Sequence, residues 1–181
     1  MNKILATVVL ALGVSTGAQA SLTSSGPLTV YDSAQNLTWT KDANLSRTTM
    51  DWSRAVDWAA NLNYAGYTDW VLPTIAQLTT QFSTNLGEAA DSSISSSHNA
   101  GYDLFTNIQS SVYWSGTGFA PDHDGAWVFD SNSGYQYNDG TNGPFHVWAV
   151  RPGAVPVPGA IWLFGSGLVW LMGFKRLGNI G

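Results

Sequence analysis

Asn63-Tyr64-Ala65-Gly66-Tyr67-Thr68-Asp69-Trp70-Val71-Leu72-Pro73-Thr74 is the stretch on which the fold turns. Its first four residues end a helix, because Asn and Gly break a helical pattern and favour turns. Its last residue starts another. Thr74 stands three residues before Gln77, the spacing of a capping box, in which the hydroxyl and the amide side chain satisfy two orphan backbone N–H groups. Upstream, Thr48 or Thr49 caps a helix running to about Leu62. Asp51 falls in its first turn, where a carboxylate meets the positive end of the helix dipole. Trp52, Ala55, Val56, Ala59 and Leu62 share one face of that helix, the spacing of a core-facing stripe. Downstream, Ile75, Leu78 and Phe82 form the apolar side of the second helix.

Strands flank this helical centre. Leu28-Thr29-Val30-Tyr31-Asp32 and Leu37-Thr38-Trp39-Thr40 read as two strands joined by a tight turn at Ser33–Asn36. The segment Gly87 to Gly101, with its run Ser92-Ser93-Ile94-Ser95-Ser96-Ser97, is small and polar and reads as an exposed loop. After a turn around Leu104 to Ile108, four short strands are expected: Val112–Ser115, Ala126–Phe129, Gly134–Tyr137 and Val147–Val150. Gly, Asn and Asp break the chain between them. Strands, two helices and a late sheet with long loops make an α+β module.

Both ends lie outside that module. Residues 1–20 read as a secretory signal peptide, with Lys3, the apolar run Ile4 to Val14, and the small-x-small site Ala18-Gln19-Ala20. Cleavage is expected after Ala20. From residue 155 the chain runs VPVPGAIWLFGSGLVWLMGF without a charge until Lys175-Arg176. Twenty residues at helical rise cover about 30 Å, the thickness of a bilayer's hydrocarbon core. Pro156 and Pro158 suit an entry turn, and the basic pair favours a cytoplasmic C-terminus. The expected organisation is therefore 1–20 signal peptide, 21–153 globular module, and 154–181 proline linker, transmembrane helix and basic end. The proline motif, the core Trp162-Leu163-Phe164-Gly165-Ser166-Gly167 and the basic pair resemble the PEP-CTERM sorting signals, in the variant that opens Val-Pro-Leu-Pro. That resemblance implies an exosortase-type processing enzyme as partner and a Gram-negative host. It also implies Sec export to the inner membrane, then release to the surface or an exopolysaccharide matrix.

Within the module, Lys41, Arg47, Arg54 and Arg151 face twelve carboxylates, a formal charge of about −8. Nucleic acid is excluded as a partner, since it requires a basic face. No cysteine is present, so an apolar core must hold the fold. Trp39, Trp52, Trp58, Trp70, Trp114, Trp127 and Trp148 are there to supply it.

No catalytic residues are assigned. His98, His123 and His146 show no metal-ligand spacing, and a triad is recognised by geometry that a sequence does not contain. Asp122-x-Asp124-Gly125 fails as an EF-hand because Ala126 and Ser133 occupy the fifth and twelfth positions. A looser calcium site drawing on Asp122, Asp124 and Asp130, with Asn132 or Asp139, stays open beside the plainer reading of a solvated acidic loop. Calcium is the one cofactor considered. The best site by residue type is the loop face between about Ser115 and Phe145. There Phe119, Tyr135 and Tyr137 offer rings for sugar C–H faces, and Asn138 and Asp139 offer partners for hydroxyls. Trp127 reads as core.

The module also resembles a known family. Tyr31-Asp32 with Leu37-Thr38-Trp39, the opening stretch Asn63 to Thr74, Tyr113-Trp114-Ser115-Gly116-Thr117, Ala126-Trp127-Val128 and Val150-Arg151-Pro152 follow the order of the DUF1566 family. This is the domain at the C-terminus of the Legionella collagen-like adhesin. Val71 stands where that family commonly has Arg. The resemblance implies a C-type-lectin-like fold and a binding module that recognises carbohydrate or another envelope or matrix component. The alternative is a structural envelope or matrix protein with no small ligand. Polyanionic glycans, the ligands reported for the adhesin, run against the charge of about −8.

Overall fold

A computed structural model describes residues 22–121 and 124–153. The expected signal peptide with Ala18 and Ala20, the expected sorting tail with Pro156, Pro158, Lys175 and Arg176, and Asp122 and His123 lie outside the described residues. Among the described residues no helix is long and apolar enough to cross a membrane.

The architecture is small α+β, with two antiparallel sheets and two short helices. Strands β1 (Leu22–Ser24), β2 (Thr29–Asp32) and β3 (Leu37–Thr40) lead into helix α1 (Trp52–Ala60) and then α2 (Ile75–Thr79). Helix α2 continues as a π-helical segment, Thr80–Asn85, and a 3-10 turn follows at Tyr102–Leu104. The second sheet is β4 (Val112–Gly118), β5 (Gly125–Asp130) and β6 (Tyr135–Gly140) in sequence order. The last strand, β7 (Val150–Pro152), returns to the first sheet and completes the order β1-β2-β3-β7.

Register explains which residues the first sheet hides. Val30 pairs with Trp39, and Trp39 with Val150, so these three form one row on the inner face, and all are buried. That row meets Leu78, Phe82, Phe105, Tyr113, Phe129 and Trp148 in the larger core cluster. Trp148 sits at its centre, edge-on to Trp39 at 5.0 Å, Phe105 at 5.0 Å and Phe82 at 5.8 Å. Its indole N–H donates to the Thr40 carbonyl at 2.9 Å, so the ring is buried without leaving its donor orphaned. A second cluster forms between α1 and the other sheet, from Ala55, Ala59, Leu72, Trp114, Ala126, Val128 and Val147.

Several expectations are corrected. Helix α1 starts at Trp52, not near Thr49, because Asp51 is its N-cap and its carboxylate accepts the Arg54 N–H at 2.9 Å. The helix stops at Ala60, before Leu62, with Asn61 as C-cap. Val56 is exposed and not part of the core stripe; the buried positions of α1 are Ala55 and Ala59. Two alanines let the helix backbone lie close to the second sheet, with Trp52 and Trp58 partly buried at the margins of that contact. The capping box at Thr74 is present as expected, with the Thr74 hydroxyl accepting from the Gln77 N–H and the Gln77 side chain accepting from the Thr74 N–H. The serine-rich loop is less exposed than its composition suggests. Ile94 is fully buried, and the Asp91 and Ile94 amides each donate at 2.9 Å to carbonyls of Ser133 and Ser131, strapping the loop onto the β5–β6 turn.

The final strand is also displaced. Val147, Trp148 and Ala149 are buried but belong to a crossing segment, while β7 begins at Val150. His146 bridges to Tyr113 of the second sheet, and Val150 exchanges backbone hydrogen bonds with Val71 at 2.8 and 2.9 Å. The chain therefore passes from one sheet to the other through a buried tryptophan, Trp148.

Candidate functional site

The opposite row of the first sheet is polar. Thr23 pairs with Tyr31, Tyr31 with Thr38, and Thr38 with Arg151. Alternation along each strand puts these four side chains on the outer face, away from Val30, Trp39 and Val150. The β1–β2 connection, with Ser25, Pro27 and Leu28, forms one wall over that face, and Ala65, Gly66 and Tyr67 form the other. Together they enclose a cleft of about 790 Å³, the size of a small-ligand site.

The second wall is built by the stretch that opened the sequence reading. Tyr64 and Tyr67 bridge each other, each N–H donating to the other's carbonyl at 3.0 Å. Ala65 and Gly66 between them have φ of 53° and 82°. Positive φ at both central residues is a type I′ turn. Helix α1 has already ended at Ala60, with Asn61 as C-cap, so the stretch does not end it as expected. Instead the stretch makes a two-residue turn that projects Tyr67 over the sheet. Trp70 anchors it from below, fully buried, with its indole N–H donating to the Tyr64 carbonyl at 3.2 Å.

Arg151 closes the back of the cleft. Its Nε and Nη2 donate to the two oxygens of Asp69 at 2.7 and 3.0 Å, a bidentate pair. The guanidinium carbon also lies 3.9 Å from the centre of the Tyr67 ring, within range of cation–π attraction. The Arg151 hydrogen bonds hold the Asp69 carboxyl below the usual carboxylate range. Its charged form is thus kept above a pH of about 3.8, and the pair weakens only in stronger acid. Among the described residues Arg151 is the one charged residue lining the cleft, and its charge is already matched. What remains is a neutral surface of hydroxyls (Thr23, Ser24, Ser25, Thr29, Thr38) around two rings, Tyr31 and Tyr67. The Tyr31 phenol is held by donation to Asn36 Oδ1 at 3.0 Å, while Tyr67 is 43% exposed.

The residues singled out in the sequence lie elsewhere. Tyr135, Tyr137 and Asp139 share one face of the edge strand β6, opposite Asp130, Val128 and Ala126, and Asn138 points to the other face. Both tyrosines are exposed, at 48% and 37%. The Tyr135 phenol, hydrogen-bonded to Asp91 of the strapped loop, has its pKa raised; Tyr137 is raised by partial burial and the nearby Asp130 and Asp139 charges. Phe119 stands beyond the far end of β4 and meets the Trp127 ring edge-on at 5.7 Å. Trp127 itself is only partly buried. The β6 row is thus an open edge, and none of its residues lines the cleft.

Of the acidic residues, the described Asp124 and Asp130 lie apart. Asp124 precedes β5 and Asp130 ends it, a separation of about 20 Å at strand rise. Asp130 instead holds its own turn, accepting from the Asn132 N–H and the Ser133 hydroxyl at 2.9 Å each. Among the described residues no group of three or more histidine or carboxylate side chains is arranged to hold a metal ion. His98 stacks on Tyr102 at 4.1 Å, and His146, whose pKa is lowered by burial, packs against Tyr113 at 5.6 Å. Val71 is 51% exposed, so an arginine at this position would reach solvent and not the core.

Comparison with known protein families matches residues 28–151 to the Lcl C-terminal domain. That span holds Leu28, Tyr31, Thr38, Tyr67, Asp69 and Arg151, so most of the cleft falls within it. No curated protein matches the chain.

Proposed function

Because the chain belongs to the Lcl C-terminal domain family, we propose that it is an adhesin-type surface binding module whose cleft takes a neutral carbohydrate. The observation that carries this reading is the charge balance of the cleft. Its one cation among the described residues, Arg151, is committed to Asp69 and Tyr67, leaving hydroxyls and two tyrosine rings as contacts. Sugar C–H faces pack on such rings, and sugar hydroxyls exchange hydrogen bonds with threonine and serine. A sulfated or carboxylated glycan would need free guanidinium or ammonium groups, and a module at about −8 repels it at low salt. Among the described residues no carboxylate lines the cleft, which supports binding without calcium. The loop-rich two-sheet architecture supports kinship with C-type-lectin-like domains, and the reading is of a binder, not a catalyst.

The surroundings fit that role. Residues 1–20 would direct Sec export, and residues 154–181 would anchor the chain and present it to an exosortase-type enzyme, placing the module at the surface or in an exopolysaccharide matrix. Intact-mass analysis of envelope fractions tests this: the mature chain begins at Ser21, and a cytoplasmic pool retaining both ends contradicts it. A glycan array read with the labelled chain, with and without calcium, tests the ligand class. Neutral glycans are expected to bind in both conditions. Binding confined to sulfated glycans would overturn the reading, and self-association without glycan binding would favour a structural matrix protein.

A further inference from the structure

A second cleft, of about 480 Å³, lies along α1 and shares no residue with the first. Its lining includes Arg54, Asp57, Trp58 and Asn61. Their spacing, i, i+3, i+4 and i+7, puts a guanidinium, a carboxylate, an indole and a carboxamide on one helical face. Met50 and Thr49 close the side opposite the helix.

The indole donors separate this tryptophan from most of the others. The N–H groups of Trp52, Trp70, Trp114 and Trp148 all donate to backbone carbonyls, at 2.8 to 3.2 Å. Trp39 has its N–H enclosed in the core without an acceptor. Trp58 packs one side of its ring against the cluster of Ala55, Ala59 and Trp114, so the ring is held in place. Yet it is only partly buried, and its N–H finds no acceptor among the described residues. A fixed ring with a free donor at the edge of a cleft is suited to a ligand with both an apolar face and hydroxyls. Beside it, Asp57 is exposed, and Asn61 donates its Nδ2 to the Asp57 carbonyl at 2.8 Å, which leaves Oδ1 to accept. Carboxylate and amide oxygens next to a ring can receive two neighbouring hydroxyls of one sugar.

We propose that this face of α1 is a second carbohydrate subsite for a neutral sugar residue, stacked on Trp58 and hydrogen-bonded to Asp57 and Asn61. The proposal rests on the carbohydrate reading of the first cleft. The first cleft lies on the outer face of the first sheet, while the second lies on the helix that covers the other sheet. One module therefore carries two separate sugar sites and can join two glycan strands.

The test is a titration of the ¹⁵N-labelled chain with neutral hexasaccharides (cellohexaose, chitohexaose and mannohexaose), followed by NMR at the indole N–H and backbone amide signals. The Trp58 indole signal, assigned with Trp58→Phe, is expected to shift with one of the three sugars. Asp57→Ala, a surface change that leaves the core intact, should weaken that response about tenfold, and Tyr67→Ala should leave it unchanged. A chain in which amides of Tyr31 and Arg151 shift while the Trp58 indole stays fixed discards the second site and keeps the first. A chain in which neither set shifts overturns the carbohydrate reading, and this proposal with it.

Discussion

Two pairs of tyrosines face solvent in this module, and they are built in opposite ways. Tyr135 and Tyr137 are neighbours on one edge strand, and the row they make is open. Tyr31 and Tyr67 are far apart in sequence and are brought together by a sheet row and a type I′ turn, so they enclose a volume. An aromatic pair legible from period-2 alternation marks an exposed edge. A pair that makes a cleft needs two elements to meet. Exposure alone therefore does not distinguish a binding surface from an edge strand, while enclosure and matched charge do.

The comparison can be broken at its base by removing what both regions stand on. Trp148→Ala empties the centre of the larger cluster and should cost about 4–5 kcal/mol, measured by denaturant unfolding. Both tyrosine pairs should lose their order together. Trp52→Ala should cost less, about 2–3 kcal/mol, because its ring is partly exposed although its N–H holds the Ser115 carbonyl at 2.8 Å.

A change of pH should act on the open edge and spare the cleft. Glu88 lies under the strapped loop, 4% exposed, and the nearby Ile94 backbone N–H offsets only part of the cost of its burial. Burial and the neighbouring Asp130 charge push its pKa up to about 8. The folded state then holds a proton that the unfolded chain gives up near pH 4.5, so stability is full below about 4.5 and falls as pH rises to about 8. Only a thin loop covers this group, so the loss should be about 2–4 kcal/mol. Glu88→Gln should flatten the profile between those limits, as followed by thermal unfolding at a series of pH values. An unchanged slope would mean that the carboxyl is solvated.

The smallest effect sharpens the other side. Ala65 has φ of 53°, a conformation that costs a residue with a Cβ about 1 kcal/mol. Ala65→Asn gives the turn the Asn-Gly pair that type I′ geometry prefers. It should raise stability by about 0.5–1 kcal/mol, seen as a rise of a few degrees in Tm.

What the sequence made legible was local. The Thr74–Gln77 capping box and the Leu28–Thr40 hairpin depend on residues within a few positions of one another, and both are present. The start of α1 is harder to read because three capping residues, Thr48, Thr49 and Asp51, compete within four positions; Asp51 takes the cap where the Trp52 N–H also bonds the distant Thr141 carbonyl. Strand β1 carries too few residues to show a pattern. The cleft was not legible at all, since Thr23, Tyr31, Thr38, Tyr67 and Arg151 meet only through strand register and a turn whose positive φ at Ala65 no local signal announces. The one hint lay in the stretch Asn63 to Thr74, where Tyr67 and Asp69 are too far from any helical face to be core.

Paired titration calorimetry on Tyr67→Ala and Tyr135→Ala tests the central claim most directly, with the neutral glycan that the array selects. The cleft account predicts that Tyr67→Ala weakens binding at least tenfold, about 1.4 kcal/mol, while Tyr135→Ala changes it less than twofold. The reverse order, with affinity lost in Tyr135→Ala and kept in Tyr67→Ala, would put the ligand on the edge strand and contradict the account.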